Sequence, residues 1–175
     1  MRRVLRFVCV IDEFPAQPKV QKMSAKPIPD GYEAAIPYLA VRKASDAIAF
    51  YKKAFSAREV LCIAHDGKIG HAELEIGNAK IMLSDEFPEH EALSPGTIGG
   101  TPVVIHLYVP DVDCFTRRAV EEGLHVLRCV KDQFYGDRCG KFEDPFGHRW
   151  IIASRQEDLT LEELRARAAA LFSDR

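Results

Sequence analysis

The sequence predicts an α+β fold: two βαβββ modules in tandem, with mixed sheets curled around a central cleft, followed by a C-terminal helix. Three observations carry this. Apolar runs of strand length and one amphipathic helix occur in a set order between residues 34 and 86, and the same order recurs between 103 and 155. The interval from strand end to helix end is equal in the two halves, Val41 to Phe55 and Val109 to Gly123. Between the halves stands a Gly/Pro-rich break, "SPGTIGGTP".

In the first module "AAIPYLAV" reads as a strand. "SDAIAFYKKAF" reads as a helix, with Ser45 as its expected cap and Ala47, Ile48, Tyr51, Ala54 and Phe55 spaced three and four apart on its apolar face. "REVLCIAH", "HAELEI" and "AKIMLSD" complete the sheet. In the second module "VVIHLYV" is followed by the helix "DVDCFTRRAVEEG", then by "LHVLRCV", "RCGKFED" and "HRWIIAS". One helix for four strands covers one face of each sheet, which leaves the other face concave or opposed to a second sheet. Strand alternation assigns the faces. Ala72, Leu74 and Ile76 turn toward the helix and leave His71, Glu73 and Glu75 on the open face. Val103, Ile105, Leu107 and Val109 turn toward the second helix and leave Val104, His106 and Tyr108 open, while Trp150 belongs to the core. A cleft between two such sheets is the natural ligand site.

The ends of the chain are of a different character. Residues 1–33 form an extended leader rich in Pro and Lys, in which Val4 to Ile11 can add an edge strand. The opening "MRRVLRFVCVIDEF" lacks the pattern of a signal peptide, because Arg6 interrupts the apolar stretch and Asp12 and Glu13 follow it. At residues 156–175 "DLTLEELRARAAALF" starts a helix with Thr160 as N-cap and Glu163 as its capping-box partner. Leu161, Leu164, Ala168 and Leu171 form a stripe expected to dock on this subunit or on a partner.

Composition excludes several classes of function. With 24 Lys+Arg against 26 Asp+Glu and a net charge of -2, the chain has no excess positive charge for a nucleic acid partner. No apolar run approaches the roughly 20 residues of a spanning helix, so no membrane partner is expected. Five cysteines without CxxC spacing imply reduced thiols and a cytoplasmic protein rather than a disulfide framework. GxSxG, Walker and GxGxxG motifs are absent.

Residues 27–165 resemble the vicinal oxygen chelate superfamily, the glyoxalase/bleomycin resistance/dioxygenase fold. The resemblance rests on "PYLAV", "AFYKKAF", "GKIGHAELEIGNAKIMLSDEFPE", "GGTPVVIHLYVPDVD" and "DQFYGDRCGKFEDPFGHRW", and it is nearest to the PhnB-like branch. It implies a single domain over residues 34–155, a homodimer and a small-molecule ligand. Metal-using relatives place His or Glu ligands on the first and last strand of each module. Those positions are Ile36, Met82, Val104 and Ile151 here, and the neighbours Ala35, Pro37, Ile81, Leu83, Val103, Ile105, Trp150 and Ile152 are not donors either. Divalent metals need N, O or thiolate ligands. No cofactor is therefore expected at the usual site. A relocated divalent metal held by His71, Glu73 and His106 is the alternative, and with it a lyase, isomerase or dioxygenase.

Candidate ligand contacts are Tyr38, His71, Glu73, His106, Tyr108, Tyr135 and Arg138, with no catalytic residue assigned. Gly136 and Gly140 are expected to shape an exposed loop that carries Tyr135, Asp137 and Arg138 to the cleft mouth. There Arg138 either clamps an anion with its two-pronged guanidinium or pairs with Asp137 or Glu143. His148 is expected to pin the Asp144-Pro145-Phe146-Gly147 turn, and His65, His90 and His125 read as surface or structural residues.

Overall fold

The computed structural model describes residues 25–173, with side chains through Leu171. The strand expected over Val4 to Ile11, Cys9 and most of the leader lie outside the described residues. Met1–Ala35 and Ile36–Arg175 are two separate units. In the first, Lys26 Nζ pairs with Asp30 Oδ1 at 2.8 Å, and the Tyr32 N–H donates to Pro29 O at 3.1 Å to close a turn.

The second unit holds two four-stranded sheets of identical topology. In the first module β1 (Tyr38–Val41), α1 (Ala44–Ala54), β2 (Arg58–His65), β3 (Lys68–Ile76) and β4 (Ala79–Asp85) give the strand order β1-β4-β3-β2. A short helix α2 (Pro95–Ile98) lies in the connection. The second module, β5 (Val104–Tyr108), α3 (Val112–Glu121), β6 (His125–Asp132), β7 (Asp137–Glu143) and β8 (Arg149–Arg155), repeats the pattern as β5-β8-β7-β6. In each sheet the first and last strands pair in parallel, and the remaining pairs are antiparallel. This is the α+β architecture of two βαβββ modules, followed by α4 (Leu161–Ser173).

Helices α1 and α3 share one core. Ala44, Ala47, Ile48, Tyr51, Ala54 and Phe55 of and beside α1 are buried, as their spacing requires. Phe55 packs edge-on against Trp150 at 5.0 Å between ring centroids and tilted against Phe115 at 5.4 Å, joining the two modules. The helix-facing set Ala72, Leu74, Ile76, Leu107, Trp150 and Ile152 is buried beneath them. Val103 lies ahead of β5 and is exposed, because the strand starts one residue later.

One sequence expectation is corrected here. Ser45 does not cap α1. The Ala44 N–H donates instead to Asp85 Oδ1 at 2.8 Å, so the orphan donor is satisfied from the end of β4, a residue distant in sequence. The capping box of α4 does form, with the Thr160 N–H donating to Glu163 Oε2 at 2.8 Å and the Glu163 N–H to Thr160 Oγ1 at 3.2 Å. Along its apolar stripe Leu164 and Ala168 are half-buried, while Leu161 is 62% and Leu171 46% exposed. Among the described residues no helix is long and apolar enough to cross a membrane.

Candidate functional site

The open faces of the sheets are built in cross-strand rows, because residues in register share a face. On the first sheet one row runs Tyr38, Met82, Glu73, Leu61. His71 bridges its polar members: Tyr38 Oη is 3.1 Å from His71 Nδ1, and His71 Nε2 is 3.1 Å from Glu73 Oε1. A phenol, an imidazole and a carboxylate thus form one chain, in which Glu73 is buried and Tyr38 is 52% exposed.

On the second sheet the equivalent row runs His106, Ile151, Lys141, Arg128, and the next runs Tyr108, Ala153, Cys139, Lys131. His106 and Tyr108 stack with ring centroids 4.8 Å apart and planes 23° from parallel. Tyr108 Oη donates to Asp137 Oδ2 at 2.6 Å, and this bond, with some burial, raises the phenol above its ordinary pKa. Asp137 Oδ1 lies 3.3 Å from Arg155 Nε, near enough for charge pairing, yet it accepts no hydrogen bond. Tyr135 Oη meets the Sγ of buried Cys139 at 3.4 Å, and burial together with that contact pushes the phenol up to about 12. Neither tyrosine is a phenolate near neutrality.

The structure gathers the expected residues into two groups, Tyr38 with His71 and Glu73, and His106 with Tyr108. It places Arg138 elsewhere. Arg138 is in register with Ser154, two positions along each strand from the Gly140 and Ile152 pair, and so lies on the helix side. There its guanidinium grips Asp113 of α3 through Nε to Oδ2 at 2.7 Å and Nη2 to Oδ1 at 2.9 Å, and it also reaches Asp132 Oδ1 at 3.0 Å. Its partners are therefore neither Asp137 nor Glu143. The hydrogen bonds from Arg138 hold the Asp113 carboxyl below its ordinary range. Gly136 and Gly140 are buried rather than exposed: a Cβ on Gly136 would sit 2.6 Å from Glu157 O, and one on Gly140 would sit 2.7 Å from the Phe142 ring.

His148 joins the turn as expected. Its N–H donates to Asp144 Oδ1 at 3.0 Å, and its Nε2 lies 3.3 Å from Ala40 O. Its ring also walls a cavity of about 270 Å³ where β1 meets β5, lined by Tyr38, Thr101, Val103, Ile105 and Arg149 among others. Sequence reasoning did not select Thr101 or Arg149, which meet Tyr38 around this cavity only when the two modules pack. It also passed over Lys141 and Cys139, although alternation through "DRCGKFED" places both on the face of Asp137.

The four metal positions of the resemblance carry no donor. Met82 lies in the Tyr38 row, Ile151 in the His106 row, Val104 opposite Arg149, and Ile36 just ahead of β1. An alkyl side chain cannot coordinate a divalent cation, and a thioether is a poor ligand for one, so these positions do not fit a metal. Among the described residues, no three of His, Cys, Asp or Glu converge as ligands, and His106 is not gathered with His71 and Glu73.

Tandem βαβββ modules with two open sheet faces define a vicinal oxygen chelate protein. The chain belongs to the Glyoxalase/Bleomycin resistance protein/Dioxygenase superfamily, whose profile matches residues 34–152. It is 41% identical over 134 residues to uncharacterized protein Rv0887c of Mycobacterium tuberculosis, covering 74% of this chain and 79% of the relative. Among solved structures it is similar to TioX from Micromonospora sp. ML1, with a TM-score of 0.57 and 23% identity, covering 73% of this chain and all of that one. It is also similar to the fosfomycin resistance protein FosX from Listeria monocytogenes, complexed with Mn(II) and sulfate, with a TM-score of 0.56 and 20% identity over 77% of this chain and 96% of that one. At such identities these two likenesses establish the fold.

Proposed function

We propose that this protein binds a small organic molecule in the cleft of its open sheet faces, with no metal at the position its relatives use. In this reading it is a cytoplasmic homodimer of the PhnB-like branch. The observation that carries the proposal is the apolar set Ile36, Met82, Val104 and Ile151, which replaces a ligand sphere with a surface suited to hydrocarbon. Around it the stacked His106 and Tyr108 offer a flat platform, and Tyr38, His71 and Glu73 supply directional hydrogen bonds. The homodimer is supported by apolar residues on strands left uncovered by this chain: Val60, Leu61 and Ile63 on β2, and Val126 and Leu127 on β6, are exposed.

The test is metal analysis and native mass spectrometry of protein purified without an affinity tag. The expected result is a dimer with substoichiometric metal that retains or takes up a small organic ligand. One tightly held transition metal per chain, lost on His106→Ala, would overturn the proposal in favour of a metal-dependent lyase, isomerase or dioxygenase.

A further inference from the structure

The two open faces differ in charge on the second and third strands of each module. Where the first sheet has Tyr38, Met82, Glu73 and Leu61 in a row, the second has His106, Ile151, Lys141 and Arg128. Glu73 is thus matched by Lys141, and Leu61 by Arg128. Lys141 and Arg128 stand directly opposite one another on β7 and β6. Like charges in that position repel. Of the other charges of this face, Arg149 pairs with Glu143 at 3.4 Å and Arg155 with Asp137 at 3.3 Å, while Lys131 of the next row is exposed and adds to the positive charge. Among the described residues no carboxylate pairs with Lys141 or Arg128. The nearest polar partner of Arg128 is the Cys139 sulfur at 3.9 Å, a weak acceptor. Lys141 is also half-buried, so water screens it incompletely.

We infer that Lys141 and Arg128 form an anion subsite of the second sheet, and that the ligand is a small aromatic oxyanion. This rests on the cleft-binding reading above and names the class of its ligand. The row sets the shape of the molecule. Strands lie about 4.8 Å apart, so His106 on β5 and Lys141 on β7 are separated by about 10 Å, with Ile151 of β8 between them. A ring over the His106 and Tyr108 stack and a short chain across Ile151 bring a carboxylate, sulfonate or phosphonate to Lys141 and Arg128. The ammonium and the guanidinium both donate to it, and the anion removes their mutual repulsion.

The probes are 3-phenylpropionate and its neutral amide, titrated calorimetrically at low ionic strength into wild type, Lys141→Met and Arg128→Gln. Near-ultraviolet circular dichroism verifies that each variant is folded. The expected result is that the anion binds wild type at least tenfold more tightly than the amide, that each variant erases most of that difference, and that amide affinity changes by less than about twofold. Equal affinity for the two probes, or an anion preference that survives both variants, overturns the subsite while leaving the cleft-binding reading intact. Binding of neither probe overturns the subsite. Failure of the cleft-binding reading is read separately, as a stoichiometric metal in the tag-free protein. Inorganic phosphate competing as well as the carboxylate would show an adventitious ion site and overturn the aromatic part.

Discussion

Tyr51 of the first module donates a hydrogen bond of 2.6 Å to Asp144 Oδ2 of the second, across 93 residues of chain. The same oxygen accepts from Trp150 Nε1 at 2.9 Å, while Oδ1 accepts the N–H groups of Phe146 and His148, each at 3.0 Å. Asp144 is buried, and all its acceptor directions are used inside the protein. Burial and the facing carboxylate together raise Tyr51 well above the ordinary phenol pKa, which keeps it a donor.

Tyr51→Phe is expected to cost about 1.5–3 kcal/mol, the range for a hydrogen bond to a charged group. Asp144→Ala strands several buried donors at once and is expected to cost about 4 kcal/mol. Urea unfolding of both variants measures this, and an unchanged midpoint for Asp144→Ala would show that the modules do not depend on the contact.

Acid is expected to weaken the fold through His148. Desolvation lowers its pKa from the ordinary 6.5, against smaller opposing effects of Asp144 and of the bond to Ala40 O. The folded state therefore holds the ring neutral over a range in which the unfolded chain takes up a proton. Stability falls as pH drops through about 6.5 and levels off below the depressed folded value. Urea midpoints at pH 7, 6 and 5 should fall in wild type and fall less in His148→Gln.

Gly136 has a φ of 88°, and its carbonyl accepts the N–H groups of Gln156 and Glu157 at 2.9 and 3.0 Å. A methyl group there meets Glu157 O and adds left-handed strain. Gly136→Ala is expected to cost about 2 kcal/mol or more. Thermal unfolding reads this as a lowered Tm.

Lys141→Met relieves the repulsion from Arg128 and is expected to stabilise the ligand-free protein by about 0.2–1 kcal/mol. Salt screens the same repulsion, so the gain should shrink between low salt and 0.5 M, a concentration at which the screening length is only about 4 Å. A gain that is independent of salt would point to burial of the thioether instead.

Much of this protein is legible in its sequence because periodicity is local. Alternation of apolar and polar residues placed Ala72, Leu74, Ile76 and Trp150 on the helix side and His106 and Tyr108 on the open face, and equal spacing disclosed the repeat. Register and docking are not local. Arg138 was expected at the cleft mouth, yet pairing with Ser154 turns it toward Asp113. Ser45 was expected to cap α1, yet the cap arrives from Asp85.

The sequence by itself therefore determined the two modules, their faces and the absence of metal donors at Ile36, Met82, Val104 and Ile151, since each follows from residue type and period. Only the tertiary structure decided which charges meet. It set Arg138 against Asp113 and Asp132, joined Tyr51 to Asp144, and left Lys141 beside Arg128 with no carboxylate between them. The reason is physical: electrostatic partners are chosen by distance in space, and strand register brings together residues that no spacing along the chain connects.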